Sequence, residues 1–275
     1  MIKLIKDFPI IFEEGPIARS YLQLFRVLGL KNKKILYLLD NNYYFKRISY
    51  YMQIKKNLYY PLKFIKDKKV INLIRQFQEF FDFDKNYVFE MYNKKYFSDL
   101  ENFFFINSHK VNSKIFVETV DDLEEKILIN TSKQIYKDFT HGKQILHIHP
   151  GFLPKIRGAD SSLNSILQFN ELGVTSFFIS KSIDNGEIIN RSNYKFQKFK
   201  FDVSDYSIKD IYRIWYSFFD PLLRAKHLNF LINNDKEIGN SLKINKLEFD
   251  NSKYYTFLSN KQLQEVFDKV FLHVL

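Results

Sequence analysis

Two histidines and one aspartate have the side-chain types and the spacing that acid–base chemistry requires. His147 and His149 end the apolar run QILHIH (144–149), and Asp184 lies in SIDNGEII (182–189). Because side chains two residues apart on a strand point to one face, both imidazoles are expected on the same side of a sheet. An imidazole can accept or donate a proton near neutral pH, and a nearby carboxylate favours and orients its protonated form. These three residues are therefore a candidate catalytic site.

The spacing of His147 and His149 is also compatible with two other interpretations. Polar residues at the end of a strand can simply face solvent. Histidines at positions i and i+2 can also share a zinc ion, which needs at least a third ligand such as Asp184 or His141. The chain has no cysteine, which excludes disulfides, thiolate metal sites and a cysteine nucleophile. The histidine spacing by itself leaves all three interpretations open.

The residues after His149 form a constrained loop. Positions 150–158 (PGFLPKIRG) contain two prolines and two glycines. The loop follows the carboxyl end of a predicted strand, which is where ligands bind in open α/β sheets. Further along, the turn Asp184-Asn185-Gly186 places a carboxylate before another apolar run. Both segments are therefore expected at a ligand-binding edge.

Apolar periodicity predicts alternating helices and strands over much of the chain. Strands are predicted at 33–39, 103–106, 127–131, 144–149 and 173–180, and helices at 17–30, 69–81, within 111–126, and at 132–139 and 161–169. The rest of the stretch 40–100 gives no clear assignment. This alternation indicates an α/β protein of Rossmann-like type, with a mostly parallel sheet flanked by helices.

The end of the chain is predicted to be mostly helical. SIKDIYRIWYSFFDPLLRAKHLNFLI (207–232) indicates a long helix that is broken or bent near Asp220-Pro221. A strand and a last helix are expected after it. We therefore predict a catalytic domain over 1–200 and a C-terminal helical extension over 201–275. The aromatic-rich segment 212–231 suggests a homodimer surface, although such a stripe more often belongs to a core.

The formal net charge of +11 invites an interpretation as a nucleic-acid-binding protein. The basic residues are scattered, however, and Lys, Asn, Ile, Phe and Tyr are abundant together, as expected of an AT-rich coding sequence. A nucleic-acid partner is therefore disfavoured, and a phosphorylated small substrate would suit the same charge. No apolar run approaches the roughly 18 residues of a membrane span, and the first residues make a poor signal peptide. The expectation is a cytoplasmic protein.

Two segments in order carry a resemblance to a known family. HPGFLPKIRGA (149–159), followed by GVTSFFISKSIDNGEII (173–189), resembles the folate-dependent formyltransferases. Members of that family carry Asn-x-His-Pro-Ser/Gly-x-Leu-Pro-x-x-x-Gly and then Gly-Val-Thr with Ile-Asp-Thr-Gly-x-Ile-Ile. The resemblance covers about 127–191. A weaker similarity to divergent bacterial amino-sugar N-formyltransferases runs through INSHKVNS (106–113), FDPLLRAKH (219–227) and YYTFLSNKQL (254–263).

The resemblance implies transfer of a formyl group from 10-formyltetrahydrofolate to the amine of a nucleotide-linked amino sugar, as in the synthesis of lipopolysaccharide and other bacterial surface glycans. His149 matches the catalytic histidine of the family and Asp184 its catalytic aspartate. His147 stands where the family has asparagine. Three outcomes are open: His147 replaces asparagine as the donor to the oxyanion, the site uses another acyl donor or acceptor, or activity is lost. We favour the first.

By the same resemblance, the folate is expected to lie between two loops. The first consists of Thr131, Ser132, Lys133, Gln134 and Ile135, and the second includes Ile183 and Gly186. Arg157, with Gly158, is the candidate contact for a substrate phosphate, and no metal is expected.

Three other functions remain as alternatives. One is a degenerate binding or regulatory protein, and another is a metal-dependent hydrolase. The third is a methionyl-tRNA formyltransferase, for which residues 201–275 look too short and too helical.

Overall fold

The structure is a computed structural model that describes residues 5–30, 33–39, 46–93, 103–137, 142–234 and 252–272. His141 lies outside these ranges. The strands are β1 Ile10–Phe12, β2 Ile35–Leu38, β3 Phe103–Ile106, β4 Ile127–Asn130, β5 Gln144–His149, β6 Ile156–Gly158, β7 Leu172–Phe178, β8 Ile188–Tyr194, β9 Phe199–Lys200, β10 Lys253–Tyr255 and β11 Phe271–Leu272. The α-helices are α1 Pro16–Val27, α2 Lys46–Asn57, α3 Tyr59–Phe64, α4 Lys68–Phe80, α5 Tyr87–Met91, α6 Lys114–Asp121, α7 Ser161–Phe169, α8 Ile208–Ile214, α9 Asp220–Asn233 and α10 Asn260–Val270.

A seven-stranded sheet in the order β3-β2-β1-β4-β5-β7-β8 organises the fold. The first five strands are parallel, and β7 and β8 are antiparallel to their neighbours. The predicted α/β class with a mostly parallel sheet is therefore confirmed. The chain runs outward from β1 to β3 and then returns to β4 beside β1. Such a reversal of strand order opens a crevice at the carboxyl ends of the strands, where ligands bind.

Helices cover both faces of this sheet. Successive strand residues alternate between two apolar cores, so Ile10 and Phe12 pack in the larger core and Ile11 in the smaller one. Phe116 and Val120 of α6 close the smaller core. Burial on both faces explains why the inner strands β1, β2 and β4 are continuous apolar runs and not alternating ones.

The predicted interruption of the long C-terminal helix is confirmed. Between α8 and α9 lies a π-helical turn, Trp215–Phe219, and Pro221 stands in the first turn of α9. Proline has no amide hydrogen, so Pro221 cannot donate to the carbonyl oxygen of Ser217 as a continuous α-helix requires. The hydroxyl of Tyr92 donates to that carbonyl instead, at 2.5 Å.

Aromatic residues of the π-helical turn pack into the larger core. Trp215 and Phe219 lie against Phe77 of α4, with ring centroids 6.2 and 5.0 Å from it, and all three side chains are buried. The aromatic stripe of 212–231 thus contributes to the core, and the homodimer stays a prediction. The domain boundary near residue 200 also stays a prediction. Within the described ranges, no helix has the length and apolar character needed to cross a membrane.

His227 of α9 is a buried polar group that the core tolerates at a cost. Its side chain is fully buried, and neither ring nitrogen has a hydrogen-bond partner among the described residues. Desolvation lowers the pKa of His227 to about 3. The folded protein therefore keeps this ring neutral at pH values where the unfolded chain binds a proton.

Replacing His227 with leucine is expected to raise the free energy of unfolding by about 1–3 kcal/mol, because an unpaired polar group leaves the core. The gain should grow as pH falls from about 7 to about 5, since the unfolded state alone takes up the proton in that interval. Urea unfolding of H227L and wild type at several pH values measures this. The exposed His109, replaced by leucine, is the control, because that change removes an imidazole without removing a polar group from the core. A destabilised H227L protein at pH 5 would contradict the prediction.

Candidate active site

One cavity of about 530 Å³ collects most of the residues that the sequence singled out. It opens at the carboxyl ends of β4 and β5. The three candidate catalytic residues line it, as do all five residues of the predicted folate loop and two further predicted contacts: His147, His149, Asp184, Thr131, Ser132, Lys133, Gln134, Ile135, Gly158 and Ile183. The tertiary structure thus brings together segments separated by more than 40 residues of sequence.

His149 is held by hydrogen bonding at one ring nitrogen and faces a carboxylate with the other. Nε2 lies 2.9 Å from the carbonyl oxygen of Ile156, which can only accept, so Nε2 carries a hydrogen. Nδ1 lies 3.5 Å from Oδ1 of Asp184. Burial lowers the pKa of His149 below its ordinary value, although Asp184 opposes this shift. The neutral ring therefore presents an unprotonated Nδ1 beside a carboxylate.

Asp184 is fixed by the backbone of two loops. It adopts a left-handed conformation, with φ of 49°, at the turn after β7. Its Oδ2 accepts a hydrogen bond of 2.7 Å from the amide of Gly158. Gly186 lets this turn approach β7, because a Cβ at that position would collide with the carbonyl oxygen of Phe178. The aspartate thereby keeps a set position next to His149.

Arg157 and Gly186 lie outside the cavity lining. The Arg157 guanidinium donates to the carbonyl oxygen of Ile183 at 2.5 Å and to the hydroxyl of Ser252 at 3.4 Å. In this structure both residues support the Asp184 turn. Their direct contacts with a phosphate and with a folate stay predictions.

His147 contacts an asparagine that the sequence reasoning missed. Its Nδ1 lies 3.1 Å from Nδ2 of Asn130, the last residue of β4, and its ring meets Phe177 edge-on at 5.6 Å. Burial, Arg224 and His149 together hold the pKa of His147 well below its ordinary value. The ring is therefore neutral. Asn130 ends a buried parallel strand, so the rule that ligands bind at carboxyl ends could have found it.

The loop after β4 is not helical, so the helix predicted at 132–139 is wrong over the described residues 132–137. Side chains accept hydrogen bonds from the backbone amides that would otherwise bond to carbonyl oxygens within a helix. The amide of Ser132 donates to Asn130, that of Lys133 to the Glu13 carboxylate, and that of Gln134 to the Ser132 hydroxyl. Short polar side chains offer the backbone such alternatives to helix. The result is an extended loop along the cavity.

A polar stripe on α8, the π-helical turn and α9 forms one wall of the cavity. Its members are spaced four residues apart: Tyr212, Tyr216, Asp220 and Arg224. Both tyrosine hydroxyls donate to Oδ1 of Asp160 at 2.8 Å. Arg224 pairs with Asp220 at 2.8 Å. Residues four apart share a helix face, so this spacing within an apolar helix was a readable signal that the sequence analysis passed over.

Lys133 adds a cation to this wall. Although the residue as a whole is exposed, its ammonium group lies over the ring of Tyr216, 5.9 Å from the centroid. Desolvation lowers the pKa of Lys133. Among the residues that the structure describes, no group of three or more His, Cys, Asp or Glu side chains is arranged to hold a metal ion.

Comparison with known proteins gives structural matches only. No protein-family model and no curated protein matches the chain. A 4-N formyltransferase from Francisella tularensis matches with a TM-score of 0.49 and 13% identity, over 98% of this chain and 88% of that chain. A sugar N-formyltransferase from Shewanella sp. FDAARGOS_354 matches with a TM-score of 0.45 and 16% identity, over 90% and 76%.

A third match covers less of both chains. It is an N-formyltransferase from Helicobacter canadensis in complex with folinic acid and dTDP-3-aminofucose, with a TM-score of 0.35, 24% identity, and coverage of 50% and 48%. All three solved structures are of N-formyltransferases, the class of protein that the sequence segments resemble. Because the identities are below 25% and the TM-scores below 0.5, the function below is argued from the residues of this protein.

Proposed function

We propose that this protein is an N-formyltransferase that moves a formyl group from 10-formyltetrahydrofolate to the amine of a nucleotide-linked amino sugar. One observation carries the proposal. His149, neutral through burial and fixed at Nε2 by the carbonyl of Ile156, presents Nδ1 beside Asp184 within a ligand-sized cavity. An amine that attacks a formyl carbon must lose a proton, and this arrangement provides its acceptor.

The chain supplies both groups that formyl transfer needs. His149 accepts the proton of the attacking amine at Nδ1, and Asp184, 3.5 Å away, stabilises the imidazolium that results. His147 lies two residues earlier on β5, lines the same cavity and is also neutral. A neutral imidazole can donate a hydrogen bond to the negative charge that develops on the formyl oxygen. The proton held by His149 then returns to the departing nitrogen.

The cavity has features that fit a folate. Ile135 and Ile183 are 54% and 38% exposed and flank it with apolar surface, which suits a flat pterin ring. The loop 131–135 provides polar groups beside that surface. 10-Formyltetrahydrofolate would supply the formyl group, bound to its N10 nitrogen. These residues would hold the ring.

The wall formed by α8, the π-helical turn and α9 fits a sugar nucleotide. Lys133, Tyr212 and Tyr216 line the cavity, and the Lys133 ammonium lies 5.9 Å from the centroid of the Tyr216 ring. A cation and two aromatic rings suit a phosphorylated, ring-bearing substrate. A cytoplasmic location and a part in the synthesis of lipopolysaccharide or another surface glycan belong to this proposal.

The direct test is incubation of the purified protein with 10-formyltetrahydrofolate and a panel of nucleotide-linked 3-amino and 4-amino sugars. Mass spectrometry should find one panel member that gains a single formyl group. A tRNA arm, with aminoacylated initiator tRNA, tests the methionyl-tRNA alternative. Folate binding without formylation of any amine would overturn the proposal and favour a degenerate binding protein.

A further inference from the structure

We infer that Asn130 holds His147 as a neutral imidazole with its hydrogen on Nε2, so that His147 is a fixed hydrogen-bond donor to the cavity. Asn130 is then a positioning residue. It enables His147 to donate the hydrogen bond that an asparagine amide donates in the family that this sequence resembles. This inference rests on the proposed function for its catalytic meaning. The tautomer itself can be measured independently of any activity.

The orientation of the Asn130 amide follows from the backbone of one residue. The N–H of Ser132 can only donate, and it lies 2.9 Å from Oδ1 of Asn130. The carbonyl oxygen of Ser132 can only accept, and it lies 2.9 Å from Nδ2. The hydroxyl of Tyr136 gives Oδ1 a second donor, at 2.8 Å. A flipped amide would oppose like groups at both ends, so Nδ2 must face His147.

The tautomer of His147 follows from that orientation. With one hydrogen of Nδ2 directed to Ser132, the other points at Nδ1 of His147, 3.1 Å away. Nδ1 must accept this hydrogen bond, so the single hydrogen of the neutral ring resides on Nε2. Among the described residues, the one hydrogen bond of the His147 ring is at Nδ1, and the ring lines the cavity. The N–H of Nε2 is thereby left for a ligand.

The charged groups around His147 oppose a second proton on the ring. Arg224 from α9 and His149 from β5 both disfavour the charged form, and Asp220 is engaged by Arg224. The neighbours from β4 and β7, Asn130 and Phe177, are uncharged. A proton at Nδ1 would also meet the donor hydrogen of Asn130. Histidine normally differs from asparagine by titrating near neutral pH, and these contacts remove that difference.

The test is the Asn130→Asp variant, observed by NMR on protein labelled with ¹⁵N at histidine. Wild-type His147 is expected to show an unprotonated Nδ1 and a protonated Nε2. In N130D the new carboxylate accepts a hydrogen bond from Nδ1, so the hydrogen should move to Nδ1 and the pKa of His147 should rise. Formyl transfer should then lose on the order of 100-fold in kcat, because the donor to the oxyanion is lost.

Two further variants separate positioning from folding. In Tyr136→Phe, the backbone of Ser132 still forms hydrogen bonds with both Oδ1 and Nδ2 of Asn130, so the tautomer of His147 should be unchanged. In His147→Asn, the new side chain has an amide with two hydrogens. It can donate a hydrogen bond to a ligand in the cavity whether residue 130 is asparagine or aspartate. Adding N130D to H147N should therefore reduce kcat by no more than about threefold, a clear departure from additivity.

Each outcome bears on a different statement. A protonated Nδ1 in the wild-type protein overturns the inference, whatever the enzyme does. A loss of kcat from N130D that is equally large in the H147N background overturns it as well, because Asn130 would then act by another route. The expected tautomer in a protein that formylates no amine supports the inference on geometry and overturns the proposed function.

Discussion

Replacing His149 with glutamine is expected to reduce kcat for formyl transfer by about a thousandfold or more, because the proton acceptor is removed. The Gln amide nitrogen can take the position of Nε2 and donate to the carbonyl of Ile156, which the histidine now does at 2.9 Å. It offers no basic nitrogen beside Asp184. The folded protein should therefore be nearly as stable as wild type while its chemistry is lost.

His149→Asn is the matched comparison. Its shorter side chain cannot reach Ile156, so that buried carbonyl loses its partner, at a cost of about 1–3 kcal/mol in the free energy of unfolding. Both variants should be equally inactive, and only the asparagine variant should be destabilised. Steady-state kinetics and urea unfolding measure the two effects. Wild-type turnover in H149Q would remove His149 from the mechanism.

The pH profile of the wild-type enzyme provides a second measurement on His149. Burial lowers the pKa of this ring, and the ring must be neutral to accept a proton. The value of kcat/KM should therefore remain level through the ordinary pKa of histidine, about 6.5, and fall only at lower pH. A midpoint above that value would contradict a neutral, buried base.

Replacing Asp184 with asparagine is expected to reduce kcat by about a hundredfold or more with little change in stability. Asparagine tolerates the left-handed backbone at this turn, where φ is 49°, and its Oδ1 can accept the amide hydrogen of Gly158. Its NH₂ group would then face Nδ1 of His149 and donate to it. The proton acceptor would be occupied, and the imidazolium would lose its counter-charge.

Glu187→Gln is the control for Asp184→Asn. It removes a carboxylate from the same turn, three residues on, at an exposed position outside the cavity. Its kcat should stay within about twofold of wild type, because the Glu187 side chain does not line the cavity. If the two variants were equally active, Asp184 would have no part in the reaction. If D184N alone unfolded, the carboxylate would be needed for the turn and not for the chemistry.

Local sequence patterns were sufficient for the elements that are apolar and periodic. The strand QILHIH and the helix around 69–81 have the predicted type and nearly the predicted bounds, because burial dictates their side chains. The strand FFFI was also predicted correctly, although Phe104 and Phe105 are exposed. Two kinds of element were missed. The three-residue strand Ile10–Phe12 is too short for a period, and the helices between 46 and 64 are rich in Tyr and Lys and show no clear apolar face.

The sequence by itself determined the α/β class, the edge of the sheet that carries the site, and the pairing of His149 with Asp184. Only the tertiary structure decided which hydrogen bonds hold the residues of the site in place. The loop 131–137 depends on Glu13, which lies 120 residues before the amide it accepts from, and the tautomer of His147 depends on Asn130 of the neighbouring strand. Hydrogen-bond partners set a proton's position, and partners distant in sequence leave no local pattern to read.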